Sequence, residues 1–125
     1  GLQPLLRIKA YASGGLDPAY MGLGPIPAVR KLFSKEKLTM EDIKVLELNE
    51  AFAAQAIACM RELKCDADKT NALGSGISIG HPVGCTGARI LVTLMGQMIR
   101  QGNDLGMASL CIGGGQGMAM VLEHI

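Results

Sequence analysis

The chain has 125 residues, enough for one compact α/β domain and too few for two. Hydrophobic residues make up 49% and aromatics 3%, so a core of Leu, Ile, Val, Met and Ala is available and global disorder is excluded. A net charge of +1 with no aromatic-laced basic stripe argues against a nucleic-acid partner, and no run of about 20 apolar residues could cross a bilayer.

Residues 5–12 alternate, with Leu6, Ile8 and Ala10 on one face and Arg7, Lys9 and Tyr11 on the other, which predicts a half-buried strand. A Gly/Pro-rich connection follows over 13–27, then a short helix from Pro27 to about Ser34. Thr39, with Glu41 and Asp42 behind it, predicts a capped turn, and 44–48 (KVLEL) a buried strand. Glu50 to Leu63 reads as a helix with Asn49 at its N-cap and Phe52, Ala56, Cys59 and Leu63 on one face. A second Gly-rich loop spans 70–84, and a helix with a Leu91, Leu94, Met95, Met98 stripe spans 85–101. Two final strands flank a tight Gly-rich connection. This order predicts an α/β fold with one mixed sheet of about five strands covered by helices, and parallel pairing where helices intervene. A single domain is expected over 1–125.

The 17 glycines cluster at 13–24, 74–87 and 113–117, where the backbone turns sharply or a ligand approaches. Three side chains near these clusters carry chemistry. Asn49 lies at a strand-to-helix junction, where capping is the simpler role and catalysis the alternative, since α/β folds place ligands at strand ends. His81 is stiffened by Pro82 just before a helix start that favours anions. Cys111 ends an apolar strand before three glycines, suited either to packing or to acid–base work. The stretch 74–80 fails the dinucleotide fingerprint, because its third glycine is late and no acidic residue follows at the right distance. His124 reads as a solvated end. The cysteines at 59, 65, 85 and 111 form no C-x-x-C pair, so reduced thiols in a cytoplasm-like compartment are expected, a eukaryotic organelle being compatible. Because the first residue is Gly1 rather than Met, a processed or cut product is expected.

GLDPAYMGLGPIPA, ELNEAFAAQ, GISIGHPVGCTGARI and SLCIGGGQGMA, in this order, make the chain similar to the thiolase family over essentially its whole length. The resemblance implies acyl transfer to CoA, interconverting two acetyl-CoA with acetoacetyl-CoA or cleaving longer 3-ketoacyl-CoA. It implies CoA and acyl-CoA as substrates and no other cofactor. Asn49 resembles the asparagine that holds a catalytic water. His81 resembles the histidine that, with that water, forms an oxyanion hole and helps activate the nucleophile. Cys111 resembles the acid/base cysteine, Gly113 the glycine whose N–H builds a second oxyanion hole, and Met21 a residue lining the acyl pocket.

The family's acylated cysteine and CoA-binding loop domain belong to an earlier region that has no counterpart here. None of Cys59, Cys65 or Cys85 lies in a context resembling the nucleophile's, and all three read as packing residues. The expectation is therefore a C-terminal half, inactive until joined by an N-terminal half from the same parent chain or a separate subunit, and prone to self-association or homo-oligomer formation. Two alternatives remain: a non-catalytic assembly module of the same fold, and a ketoacyl-synthase-like enzyme, against which the C-x-G-G-G thiol argues.

Overall fold

The structure, a computed structural model, describes residues 1–125. Four strands, β1 (Leu6–Gly15), β2 (Val45–Leu48), β3 (Leu105–Gly113) and β4 (Gln116–His124), form one sheet in the order β1-β4-β3-β2. β2 and β3 run parallel, whereas β1 and β3 both pair antiparallel with β4. The sheet is mixed as expected but has four strands instead of five. What would be the fifth is a single bridge from Thr70 to Leu46 beside β2.

Three helices cover the sheet, α1 (Pro25–Glu36), α2 (Ala53–Leu63) and α3 (Thr86–Gln101). On one face Ala28, Val29 and Leu32 of α1 and Cys59 of α2 pack on Ala10, Leu46, Leu48, Met107 and Ala119. On the other, Ile90, Leu94 and Met98 of α3 pack on Val45, Ala108 and Leu122. β2 is buried on both faces, which is why KVLEL shows no apolar–polar alternation. Gly24, before α1, and Gly117, at the start of β4, touch backbone to backbone. A Cβ on Gly117 would lie 2.1 Å from the Gly24 carbonyl, so this approach requires glycine.

The alternation read in β1 does not hold along its whole length. A bulge between Ile8 and Ala10 switches faces, leaving Ile8 exposed, while Ala10 joins the α1 side and Leu6 packs on the α3 side. The helix expected from Pro27 begins two residues earlier, and that expected from Glu50 begins at Ala53. The Thr39 turn is present over Met40–Asp42, with Asp42 Oδ2 accepting from the Thr39 N–H at 2.8 Å and from its hydroxyl at 2.9 Å. No helix is long and apolar enough to cross a membrane.

Candidate active site

β2 and β3 end side by side, and the segments leaving them enclose a cleft of about 340 Å³. Met21 contributes from the 3₁₀ turn Pro18–Leu23, Ala51 and Phe52 from the β2–α2 connection, His81 and Val83 from the loop before α3, and Leu110 to Gly113 from the end of β3. Ligands in open α/β sheets collect at the carboxyl ends of parallel strands, and this cleft lies there. A larger groove of about 680 Å³ lies elsewhere, lined by Leu16, Leu23, Ile26 and Pro27, with Arg30 and Glu62 already paired to each other at its rim. It holds no thiol, imidazole or hydroxyl, so the chemistry belongs to the smaller cleft.

Four of the five residues singled out from the sequence, Met21, His81, Cys111 and Gly113, line this cleft together. Asn49 stands behind it. It does not cap α2, as the simpler reading had it: α2 starts four residues later, and the Asn49 N–H donates to the Ser109 carbonyl at 2.9 Å as the last rung of the β2–β3 ladder. Its side chain is fully buried, with Nδ2 3.5 Å from His81 Nδ1 and Oδ1 unpartnered.

His81 is oriented by Thr86, whose Oγ1 is 2.6 Å from Nδ1 and donates its single proton to the Pro82 carbonyl at 2.9 Å. With that proton committed, Nδ1 must donate to Thr86. Nε2 is then left with a free lone pair for proton abstraction. Thr86 escaped the sequence reading; its only signal is a hydroxyl residue opening the helix after His81-Pro82.

Cys111 is buried, and burial pushes its thiol above the usual value. The β3–β4 register slips between Cys111 and Gly113, extruding Ile112, which is exposed and forms part of the cleft wall. Gly113, Gly114 and Gly115 take φ of 112°, 59° and 79°, left-handed values that suit glycine and reverse the chain immediately beside the thiol. All four cysteines are free. Cys59 is buried and Cys65 half-buried, with burial lifting the Cys65 thiol to about 11. Cys85, expected to pack, is exposed, because it precedes the first turn of α3 on the solvent side.

A family profile described as "Thiolase, C-terminal domain" matches residues 2–124. The chain belongs to the thiolase family. An acetyl-CoA acetyltransferase of Escherichia coli (strain K12) is 54% identical over 125 residues, covering 100% of this chain and 32% of that protein. One from Syntrophomonas wolfei is 53% identical over 127 residues, with 100% and 32% covered. Among solved structures, the Bacillus anthracis acetyl-CoA acetyltransferase superimposes with a TM-score of 0.97 at 52% identity, over 100% of this chain and 32% of that one. Human mitochondrial 3-ketoacyl-CoA thiolase, also solved in complex with CoA, superimposes at 0.96 and 42% identity, over 98% and 31%. This thiolase C-terminal domain thus spans about a third of the length of the relatives it matches.

Proposed function

We propose that residues 1–125 are the C-terminal half of an acyl-CoA acyltransferase that makes acetoacetyl-CoA from two acetyl-CoA or runs that reaction backwards. The observation that carries this reading is the convergence of His81, Cys111, Gly113 and Met21 on one cleft, with Asn49 behind His81. The names of the relatives support CoA and acyl-CoA as the substrates.

In the condensation direction, a cysteine from the N-terminal half gives its proton to His81 Nε2 and attacks the thioester of the first acetyl-CoA. The carbon–sulfur bond to CoA breaks, and the Cys111 thiol protonates the leaving CoA thiolate. Cys111, now a thiolate, takes an α-proton from the second acetyl-CoA. The carbanion attacks the acyl-cysteine, a carbon–carbon bond forms, and the nucleophile leaves and recovers its proton from His81. Both groups end as they began. The raised Cys111 thiol suits this cycle, since the resting group must hold a proton before it can give one. The developing oxyanions are assigned to His81, to Asn49 with a water, and to the Gly113 N–H.

The cleft mouth supports a further polypeptide as its cover. Phe52, Val83 and Ile112 are 60%, 85% and 55% exposed around it, an apolar rim unusual for a surface facing only water. The N-terminal half is the cover we assign, from the same parent chain or a second subunit, within a homo-oligomer. Four free thiols suit a reducing compartment such as the cytoplasm.

The test is thiolysis of acetoacetyl-CoA by CoA, measured for this chain alone and for a chimera joining the first two thirds of the Escherichia coli relative to it. Turnover only in the chimera, lost in His81→Ala and Cys111→Ala, is expected. Turnover by residues 1–125 alone would refute the missing nucleophile and redirect attention to Cys59, Cys65 and Cys85.

A further inference from the structure

Asn49 is delivered to the site by the peptide group joining it to Leu48, and that group is held from two sides. Its N–H donates across the sheet to Ser109. Its carbonyl, that of Leu48, accepts from Asn71 Nδ2 at 2.8 Å and from Ser75 Oγ at 3.3 Å. The same Asn71 amide also accepts, through Oδ1, the Leu48 N–H at 2.9 Å. One side chain therefore makes the paired hydrogen bonds that a neighbouring strand would make. It does so where the neighbouring strand gives out, because the backbone bridge to β2 is confined to Thr70 and the Asn71 N–H bond to the Leu46 carbonyl. Asn71 sits at φ +53°, a left-handed conformation that Asn tolerates better than most residues and that turns the chain away toward His81. The charged group beside its amide is Glu50, whose Oε1 lies 3.5 Å from Nδ2 and whose Oε2 accepts from the Ile77 N–H at 3.2 Å.

We infer that Asn71 is a positioning residue for the acyl-transfer reaction: its amide substitutes for the missing strand and sets the place of Asn49 while anchoring the loop that carries His81. It touches no substrate, since it is not among the residues lining the cleft. The inference rests on the acyltransferase reading for its kinetic consequence and on the hydrogen bonds alone for its structural one.

Two substitutions in the complete enzyme, this chain together with its nucleophile-bearing half, separate the roles. Asn71→Gly keeps the left-handed backbone and deletes the amide. Asn71→Asp keeps the shape, but its carboxylate has no proton to donate to the Leu48 carbonyl, and Glu50 opposes its ionisation. Protonated, that carboxyl presents one acceptor and one donor, the pattern of the native amide. We expect kcat to fall by about tenfold in Asn71→Gly at every pH with KM little changed, the scale of one or two neutral hydrogen bonds. Asn71→Asp, normalised to the unsubstituted enzyme, should match that loss at high pH and recover as the pH is lowered. Recovery of the Asp variant alone supports positioning. Unchanged kcat in both, or a loss in the Asp variant that ignores pH, overturns it. Hydrogen exchange of the Leu48 and Asn49 amides is read alongside, whatever the turnover: unaltered protection in Asn71→Gly overturns the clamp. An unsubstituted enzyme that turns over no acyl-CoA would instead count against the acyltransferase reading.

Discussion

Replacing Glu47 by Gln should make the domain more stable at pH 8 and leave it nearly unchanged at pH 4. Glu47 is fully buried between β2 and α3, and its Oε1 accepts from Gln97 Nε2 at 2.6 Å. Its Oε2 and the Gln97 Oε1 both lack partners. A protonated carboxyl satisfies both, because its hydroxyl can donate to the amide oxygen. Burial lifts this carboxyl from the usual 4.5 to about 7, against the pull of the Gln97 hydrogen bond and the Arg89 charge and with a push from Glu50. The folded state therefore holds the proton more tightly than the unfolded chain. The stability that goes with it is complete below pH 4.5, falls as the pH rises, and is gone above about 7. The interval between those two values corresponds to about 3 kcal/mol. A glutamine side chain in place of Glu47 reproduces the neutral pattern at every pH, its NH₂ donating where the hydroxyl did. Urea unfolding of both proteins from pH 4 to pH 8 should show the two curves diverging by up to about 3 kcal/mol, the native protein losing ground. Parallel curves would refute the buried neutral acid.

Thr86→Val should lower turnover of the completed enzyme by roughly tenfold, the value of one hydrogen bond orienting His81, while Thr86→Ser retains it; steady-state thiolysis reads both. Gly117→Ala drives a Cβ to 2.1 Å from the Gly24 backbone and should cost about 3 kcal/mol or prevent folding, seen as a lowered urea midpoint or insoluble expression. Residues 1–125 alone should self-associate through the apolar rim of Phe52, Val83 and Ile112, and light scattering should show mass rising with concentration. A concentration-independent monomer would contradict that.

Much of the architecture is legible in the sequence because it rests on periodicity. The Leu94 and Met98 spacing marks the buried stripe of α3, and the uninterrupted KVLEL marks a strand covered on both faces. What escapes are departures from periodicity. The Ile8 to Ala10 bulge flips a face without altering the residue types around it. Asn49 has the chemistry of a helix cap, and only the Ser109 carbonyl across the sheet, sixty positions away, reassigns it. The cleft is foreshadowed by glycine clusters because tight turns need glycine, and His81 and Cys111 stand beside them. Thr86 and Asn71 are invisible for the opposite reason: a hydroxyl at a helix start and an Asn in a turn are ordinary there, and their roles depend on partners brought close by folding.

The place of β1 bears on the order in which this domain can form. β1 runs along the outer edge of the sheet, and its only strand partner is β4, with Leu6 beside His124. During synthesis the first strand emerges long before the one that completes it. Until then Ala10 and Ala12 have no place to bury, and α1 lacks part of its floor. Closure of the sheet therefore waits for the last residues to leave the ribosome. Loss of only the final strand would strand β1 together with β4's side of both cores. The same pairing leaves the two ends side by side on one edge, so a circular permutant cut in the exposed turn after α3 keeps every strand pair while bringing β4 and β1 together early.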